Sequence, residues 1–311
     1  MSQELSRVLR SFFISMSQNK SLRAFSEKSA VGKKLSSRFV AGMTVAAALE
    51  AAEQMNREGL AVSLDSLGES VMDEAHAHAS AAIYHEVLDA IQQRGLNANV
   101  SVKLTQMGMD LDPSLAESIV AGMIIHAEEA NTFVRIDMEG SEYTEATIQM
   151  TERLNARWPG RVGTVLQAYL YRTADDAQRL VEQGIRIRLC KGAYKEPAEI
   201  AFPEKSDVDE NYERLMLYLS TSGVFCGMAT HDETIIDTMR RFVEAKGLPK
   251  ANFEFQMLYG IRRDLQRKLA AEGYGVRIYI PFGAEWYPYF MRRLAERPAN
   301  VLFLAKNFFK R

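Results

Sequence analysis

Eight short apolar runs, each followed by a longer stretch with helical spacing, constrain this chain more than any other feature. The runs are residues 60–65, 100–104, 133–137, 163–168, 186–191, 226–230, 252–256 and 276–280. Each has the length and residue types of a buried strand. Between them, residues 72–94, 114–130, 145–157, 174–183 and 233–246 place apolar side chains at i, i+3 and i+4. Asp112-Pro113 and Thr173 supply helix starts, and Gly95, Gly184 and Gly247 fall where helices should stop. Strands alternating with helices predict parallel pairing through helical crossovers. Eight of them match an α/β fold of the (β/α)8 TIM-barrel kind, typically about 250 residues long. A doubly wound sheet is the alternative. It would carry G-x-G-x-x-G after its first strand, but that strand runs into Leu64-Asp65-Ser66-Leu67-Gly68-Glu69. The expected organisation is an N-terminal helical arm over residues 1–40 and a barrel with a C-terminal helix over residues 41–311.

Composition narrows the partners. A net charge of −2 with no Lys/Arg-rich run argues against nucleic acid. Two distant cysteines, Cys190 and Cys226, make neither a disulfide framework nor a metal-ligand spacing, so a reducing cytoplasm is the expected compartment. No apolar run reaches the roughly 18 residues a membrane span needs. The N-terminus is basic and Ser-rich without a secretory apolar core, and it reads as a packed helical arm, a transit peptide being the lesser reading. Residues 301–311 are apolar with a basic end, which suits barrel packing or, alternatively, peripheral contact with the inner face of the cell membrane.

In such a barrel, catalytic side chains come from the C-terminal ends of strands. The polar residues expected there are Asp65, Glu69, Lys103, Asp137, Glu139, Gln167, Arg186, Arg188, Lys191, Thr230, His231, Asp232, Glu254, Gln256 and Tyr279. In the fifth strand Arg186 and Arg188 share one face, with Ile187 and Leu189 on the other. A cation on a barrel strand is costly unless a polar ligand or a buried carboxylate meets it. Gly192-Ala193 after Lys191 would let a ligand approach the backbone. After the last strand, Tyr287, Tyr289 and Trp286 lead into a helix carrying Arg292 and Arg293, with Glu296 four residues after Arg292. An arginine pair beside aromatics at a barrel mouth suits a small ligand bearing a carboxylate. His76, His78 and His85 lack an i, i+4 pair, so no metal site is expected; His231 is the one histidine placed for ligand contact.

Two stretches resemble a known family. Arg188-Leu189-Cys190-Lys191-Gly192-Ala193-Tyr194 is similar to the R-L-V-K-G-A-Y strand of proline dehydrogenases, and the segment from Tyr279 to Glu296 is similar to their closing Y-x-P-x-G…R-R-x-x-E segment. Leu67-Gly68-Glu69, Ser101-Val102-Lys103, Ile136-Asp137-Met138-Glu139, Gln167-Ala168-Tyr169, Ala229-Thr230-His231 and Phe253 to Leu258 match in the same order. The resemblance implies FAD lying across the barrel mouth. It implies flavin contacts at Met138, Gln167, Arg188, Lys191, Gly192, Ala193, Thr230 and His231, and substrate contacts at Lys103, Asp137, Tyr279, Arg292 and Arg293. Tyr194, Leu258 and Tyr279 would shape an apolar slot, and Glu69 and Glu296 would partner nearby cations.

Those roles imply a reaction: a hydride passes from L-proline to FAD, giving 1-pyrroline-5-carboxylate, and electrons pass on to a membrane quinone. Arg292 and Arg293 would clamp the carboxylate, Arg188 would act beside the flavin with Asp137, and Asp137 would form a buried ion pair with Lys103. Three rival readings are a Schiff-base aldolase using Lys103 or Lys191, a methylenetetrahydrofolate reductase-like flavin barrel, and a non-enzymatic scaffold. Flavin colour, NADH oxidation and the aligned polar strand ends respectively discriminate against them.

Overall fold

The computed structural model describes residues 38–68, 71–194, 196–287 and 289. After helix α1 (Val45–Arg57) the chain alternates strand and helix. It runs β1 (Ala61–Ser66), α2 (Glu74–Arg94), β2 (Ala98–Val102), α3 (Pro113–Glu129), β3 (Val134–Ile136) and α4 (Thr144–Arg157). It continues through β4 (Val162–Gln167), α5 (Thr173–Glu182), β5 (Arg186–Cys190), α6 (Lys205–Ser220), β6 (Cys226–Ala229) and α7 (Glu233–Lys246). It ends with β7 (Phe253–Leu258), α8 (Arg263–Ala271), β8 (Gly275–Phe282) and a helix entered at Trp286. The strands close into one parallel barrel in sequence order, β8 pairing back onto β1 from Ala61↔Arg277 to Ser66↔Phe282.

All eight expected strands form, with ends shifted by a few residues. Strand β8 continues two residues beyond the expected stop at 280 because β1 extends alongside it to Ser66. Helix starts follow side-chain chemistry. Asp73 accepts from the His76 amide at 2.9 Å, and Asp112 accepts from that of Ser114 at 2.8 Å ahead of Pro113. Gly95 and Gly247 both end helices at φ 61°, a left-handed conformation that glycine adopts without a Cβ clash. Thr173 is the first residue of α5, not its cap, because its hydroxyl donates to the Gln167 carbonyl at 2.5 Å.

The main core lies between barrel and helices. Outward strand residues such as Val62, Val100, Ile136, Ile187, Leu189 and Ile278 are wholly buried there with Leu88, Ile124 and Met239 from the helices. The barrel interior is different. Branched apolar side chains usually fill it, whereas here Ser63, Asn99, Ser101, Arg135, Asp137, Arg188, Glu254, Gln256 and Arg277 occupy it, all buried. Ahead of α1 the chain crosses the upper rim: the Ala41 amide donates to Pro281 at 3.0 Å and Gly42 accepts from Gly283 at 2.9 Å. The N-terminal arm expected over residues 1–40 lies outside the described residues except for 38–40, and the segment expected to form the C-terminal helix lies outside them beyond residue 289. No helix among the described residues is long and apolar enough to cross a membrane.

Candidate active site

Alternation along each strand sets which side chains point inward. On β1 these are Ser63 and Asp65. Ser101 and then Lys103, just past β2, continue the row, followed by Asp137 past β3, Arg188 on β5, Gln256 on β7 and Tyr279 on β8. Arg188 is their centre. Its Nη1 donates to Asp137 Oδ1 at 2.7 Å and to the Ser101 hydroxyl at 3.2 Å, and its Nε to Gln256 at 2.5 Å. Its Nη2 reaches Ser63 at 3.4 Å, and its guanidinium lies 5.1 Å from the Tyr279 ring centroid. Asp137 is equally engaged, accepting from Ser101 at 2.7 Å on Oδ1 and from the Tyr279 hydroxyl at 2.7 Å on Oδ2. A buried ion pair owes several kcal/mol of desolvation per charge, so it persists only when its other polar atoms are satisfied, as they are here. Its value is geometric: it fixes a cation at the barrel mouth.

Lys103 does not pair with Asp137 as expected. Its ammonium bonds both oxygens of Asp65, at 2.9 and 3.1 Å. The reason lies in the register, for Asp137 and Asp65 flank β2 on either side, and the Asp137 oxygens are already taken by Arg188, Ser101 and Tyr279. The charge states follow. Burial pushes the Asp137 carboxyl up, but Arg188 and then Lys103 outweigh it and hold it below the usual carboxylate range. Burial alone would lower the Lys103 ammonium; the Asp65 carboxylate raises it above its ordinary value. Tyr279 is raised well above a free phenol, by burial and then by Asp137. Burial raises Glu139, against donation from the Thr105 hydroxyl to one of its oxygens at 2.7 Å and from the Thr105 amide to the other at 3.1 Å.

Around this cluster the other expected residues line the same C-terminal mouth. Gln167 ends β4 and donates to the Glu139 carbonyl at 3.0 Å. Met138 and Thr230 are buried at the ends of β3 and β6. His231 Nε2 accepts from the Leu258 amide at 2.9 Å, tying the exits of β6 and β7 together. Lys191 is held by Asp209 at 2.6 Å and by Asp232, the α7 cap, at 3.2 Å. Gly192 follows at φ 116°, and a Cβ there would meet the Tyr169 ring at 2.4 Å. Ala193 and Tyr194 are exposed beyond it. Two residues assigned to this mouth belong elsewhere. Arg186 begins β5 and Glu254 sits near the start of β7, so both occupy the opposite end of the barrel. Glu69, Arg292, Arg293 and Glu296 lie outside the described residues. The sequence reading passed over Ser63 and Arg277, although the period-two rows Ser63/Asp65 and Arg277/Tyr279 place both inside.

A sequence model described as Proline dehydrogenase matches residues 48–306. The chain belongs to the proline dehydrogenase family. It is 40% identical over 305 residues to Proline dehydrogenase 1 of Bacillus subtilis, covering 98% of this chain and 100% of that protein. It is 42% identical over 280 residues to Proline dehydrogenase of Deinococcus radiodurans, covering 89% and 90% respectively. Against the bifunctional protein PutA of Escherichia coli the identity is 26% and only 23% of that protein is covered, so the likeness is to the monofunctional form. Among solved structures, proline utilization A from Bdellovibrio bacteriovorus inactivated by N-propargylglycine superposes with a TM-score of 0.82. At 22% identity, spanning 97% of this chain and 38% of that one, it shares the fold.

Proposed function

We propose that the chain oxidises L-proline to 1-pyrroline-5-carboxylate with FAD as its cofactor and a membrane quinone as the onward electron acceptor. The single observation that carries this reading is the Arg188–Asp137–Tyr279 cluster at the mouth of a barrel whose family is proline dehydrogenase.

The mouth has the chemistry a flavin needs. Past β5 the backbone turns at Gly192 with the Tyr169 ring beneath it and Ala193 exposed above, so a planar group can lie against the chain. Arg188, Gln167, Lys191, Thr230 and His231 offer donors and a positive field along three neighbouring strand ends, and Met138 adds an apolar contact. Bound there, FAD supplies a two-electron hydride acceptor. Arg188 would hold positive charge where negative charge develops, and its rigid bonding means little reorganisation is needed. Leu258, Tyr279 and Tyr194 would bound the substrate ring, and Arg292 and Arg293 would clamp its carboxylate. Hydride departure from a ring carbon needs the neighbouring nitrogen's lone pair. Asp137 is a fully engaged, deprotonated carboxylate, while Lys103 and Tyr279 hold their protons. None of these three is a free base at neutral pH, which favours loss of the amine proton to water before transfer.

Turnover of the FAD-loaded protein with L-proline and a soluble quinone analogue tests this directly. Proline-dependent quinone reduction, with the cyclic imine trapped as its aminobenzaldehyde adduct, is the expected result. Quinone reduction without that adduct, or no turnover, contradicts it.

A further inference from the structure

The opposite, N-terminal mouth of the barrel holds a cavity of about 300 Å³ that the proposed reaction does not use. Its walls include Asn97, Thr132, Phe133, Arg161, Arg186 and Arg277, every one at or before the start of a strand or near it. Three guanidinium groups surround the Phe133 ring: Arg186 at 4.4 Å, Arg135 at 5.2 Å and Arg277 at 5.6 Å from its centroid. Their carboxylate partners are too few. Arg277 has Glu254 at 2.6 Å, and Arg161 has Glu128 at 3.5 Å. Arg186 makes no side-chain hydrogen bond or ion pair among the described residues and rests on the Phe133 and Phe225 rings. Arg135 is wholly buried; Nη1 donates to the Thr164 and Arg186 carbonyls at 2.8 and 2.9 Å, while Nε and Nη2 meet no partner. Four guanidinium groups therefore face two carboxylates around one small mouth, Arg135 and Arg277 buried and Arg161 and Arg186 partly exposed.

Uncompensated buried cations are strongly unfavourable unless an anion joins them. We propose that this N-terminal mouth is a second ligand site, taking a small oxyanion, a phosphate or a carboxylate, between Arg161, Arg186 and Arg277. Guanidinium forks match the paired oxygens of both groups. The volume is at the small end of ligand pockets, which excludes a dinucleotide and admits a compact metabolite. The electrostatics agree: burial and then Arg277 hold the Arg186 guanidinium below its ordinary value, and burial does the same to Arg135 with Arg188 and Arg186 adding to it. The site is separate from the catalytic mouth, for Arg186 precedes Arg188 by two strand positions, about 6.6 Å.

The test uses the full-length FAD-loaded protein with two probes, inorganic phosphate followed by phosphorus NMR and succinate followed by thermal melting, each against sodium chloride of equal ionic strength. A saturable response to either, beyond the chloride control and with millimolar or tighter affinity, is expected, and the stronger probe identifies the preferred oxyanion. Arg186→Gln should weaken that response at least tenfold. Arg161→Gln should also weaken it while leaving proline turnover unchanged, and this decides the matter if Arg186→Gln fails to fold. Responses no larger than chloride's for both probes, or undiminished in folded Arg161→Gln protein, would overturn the proposal.

Discussion

Replacing Arg188 with methionine removes the centre of the barrel-mouth cluster while keeping most of its volume. Breaking a buried pair by deleting one partner costs about 3–5 kcal/mol, because the remaining charge is left uncompensated. Asp137 would not be wholly abandoned, since Ser101 and Tyr279 still donate to it at 2.7 Å and Lys103 still favours its charged form. The lower end, about 3 kcal/mol, is therefore expected. For a domain of this size each kcal/mol moves the melting midpoint by roughly 2 °C, so the variant should melt roughly 6 °C lower. Scanning fluorimetry of flavin-stripped protein reads this without contribution from cofactor binding. Adding Asp137→Asn removes the orphaned charge, so the double variant should be less destabilised than the sum of the single changes by about 2 kcal/mol, the interaction energy of groups in contact. Unchanged melting in Arg188→Met, or strictly additive losses in the cycle, would refute the reasoning.

Other outcomes follow from the same geometry. Gly192→Ala forces a Cβ into the Tyr169 ring at a φ of 116°, so purified protein should lose most of its flavin, measured by absorbance per chain. Arg292→Ala should raise the KM for proline by orders of magnitude, the loss of a charged contact of about 2–5 kcal/mol; an unchanged KM removes the clamp. Because Asp137 is held below the unfolded carboxylate range, its contribution to stability is present above the unfolded value and lost as pH falls through the folded one. The melting midpoint of Asp137→Asn should thus fall less as the pH is lowered than that of the parent. In the alkaline range kcat/KM should rise as substrate ammonium loses its proton, and a profile set by an enzyme carboxylate near neutrality would contradict the assignment of Asp137 as permanently charged.

How much of this was legible depends on what each residue answers to. The strands were readable because their outward faces, Ile187 and Leu189 for example, must be apolar to meet the helices. The inward rows were readable in part, since period-two spacing puts Arg186 with Arg188 but does not say which end of the barrel each occupies. That is decided by where pairing begins: Arg186 sits opposite Gly163 near the bottom of β4, and Glu254 opposite Gly275 at the start of β8. The partner of Lys103 was misjudged for a related reason. Two carboxylates on neighbouring strands compete for it, and only the prior claims of Arg188 and Tyr279 on Asp137 leave Asp65 as the winner. The cluster of arginines around Phe133 was invisible because its members come from three strands, β3, β5 and β8, brought together only by barrel closure.

The central claim is that the polar cluster at the C-terminal mouth presents a flavin to L-proline. Anaerobic addition of L-proline to the purified yellow protein, with the visible flavin band recorded over time, tests it most directly. Complete bleaching by proline, greatly slowed in Arg188→Met, is the result this account requires. A colourless protein that takes up no FAD, or a flavin band that proline leaves untouched, would contradict it.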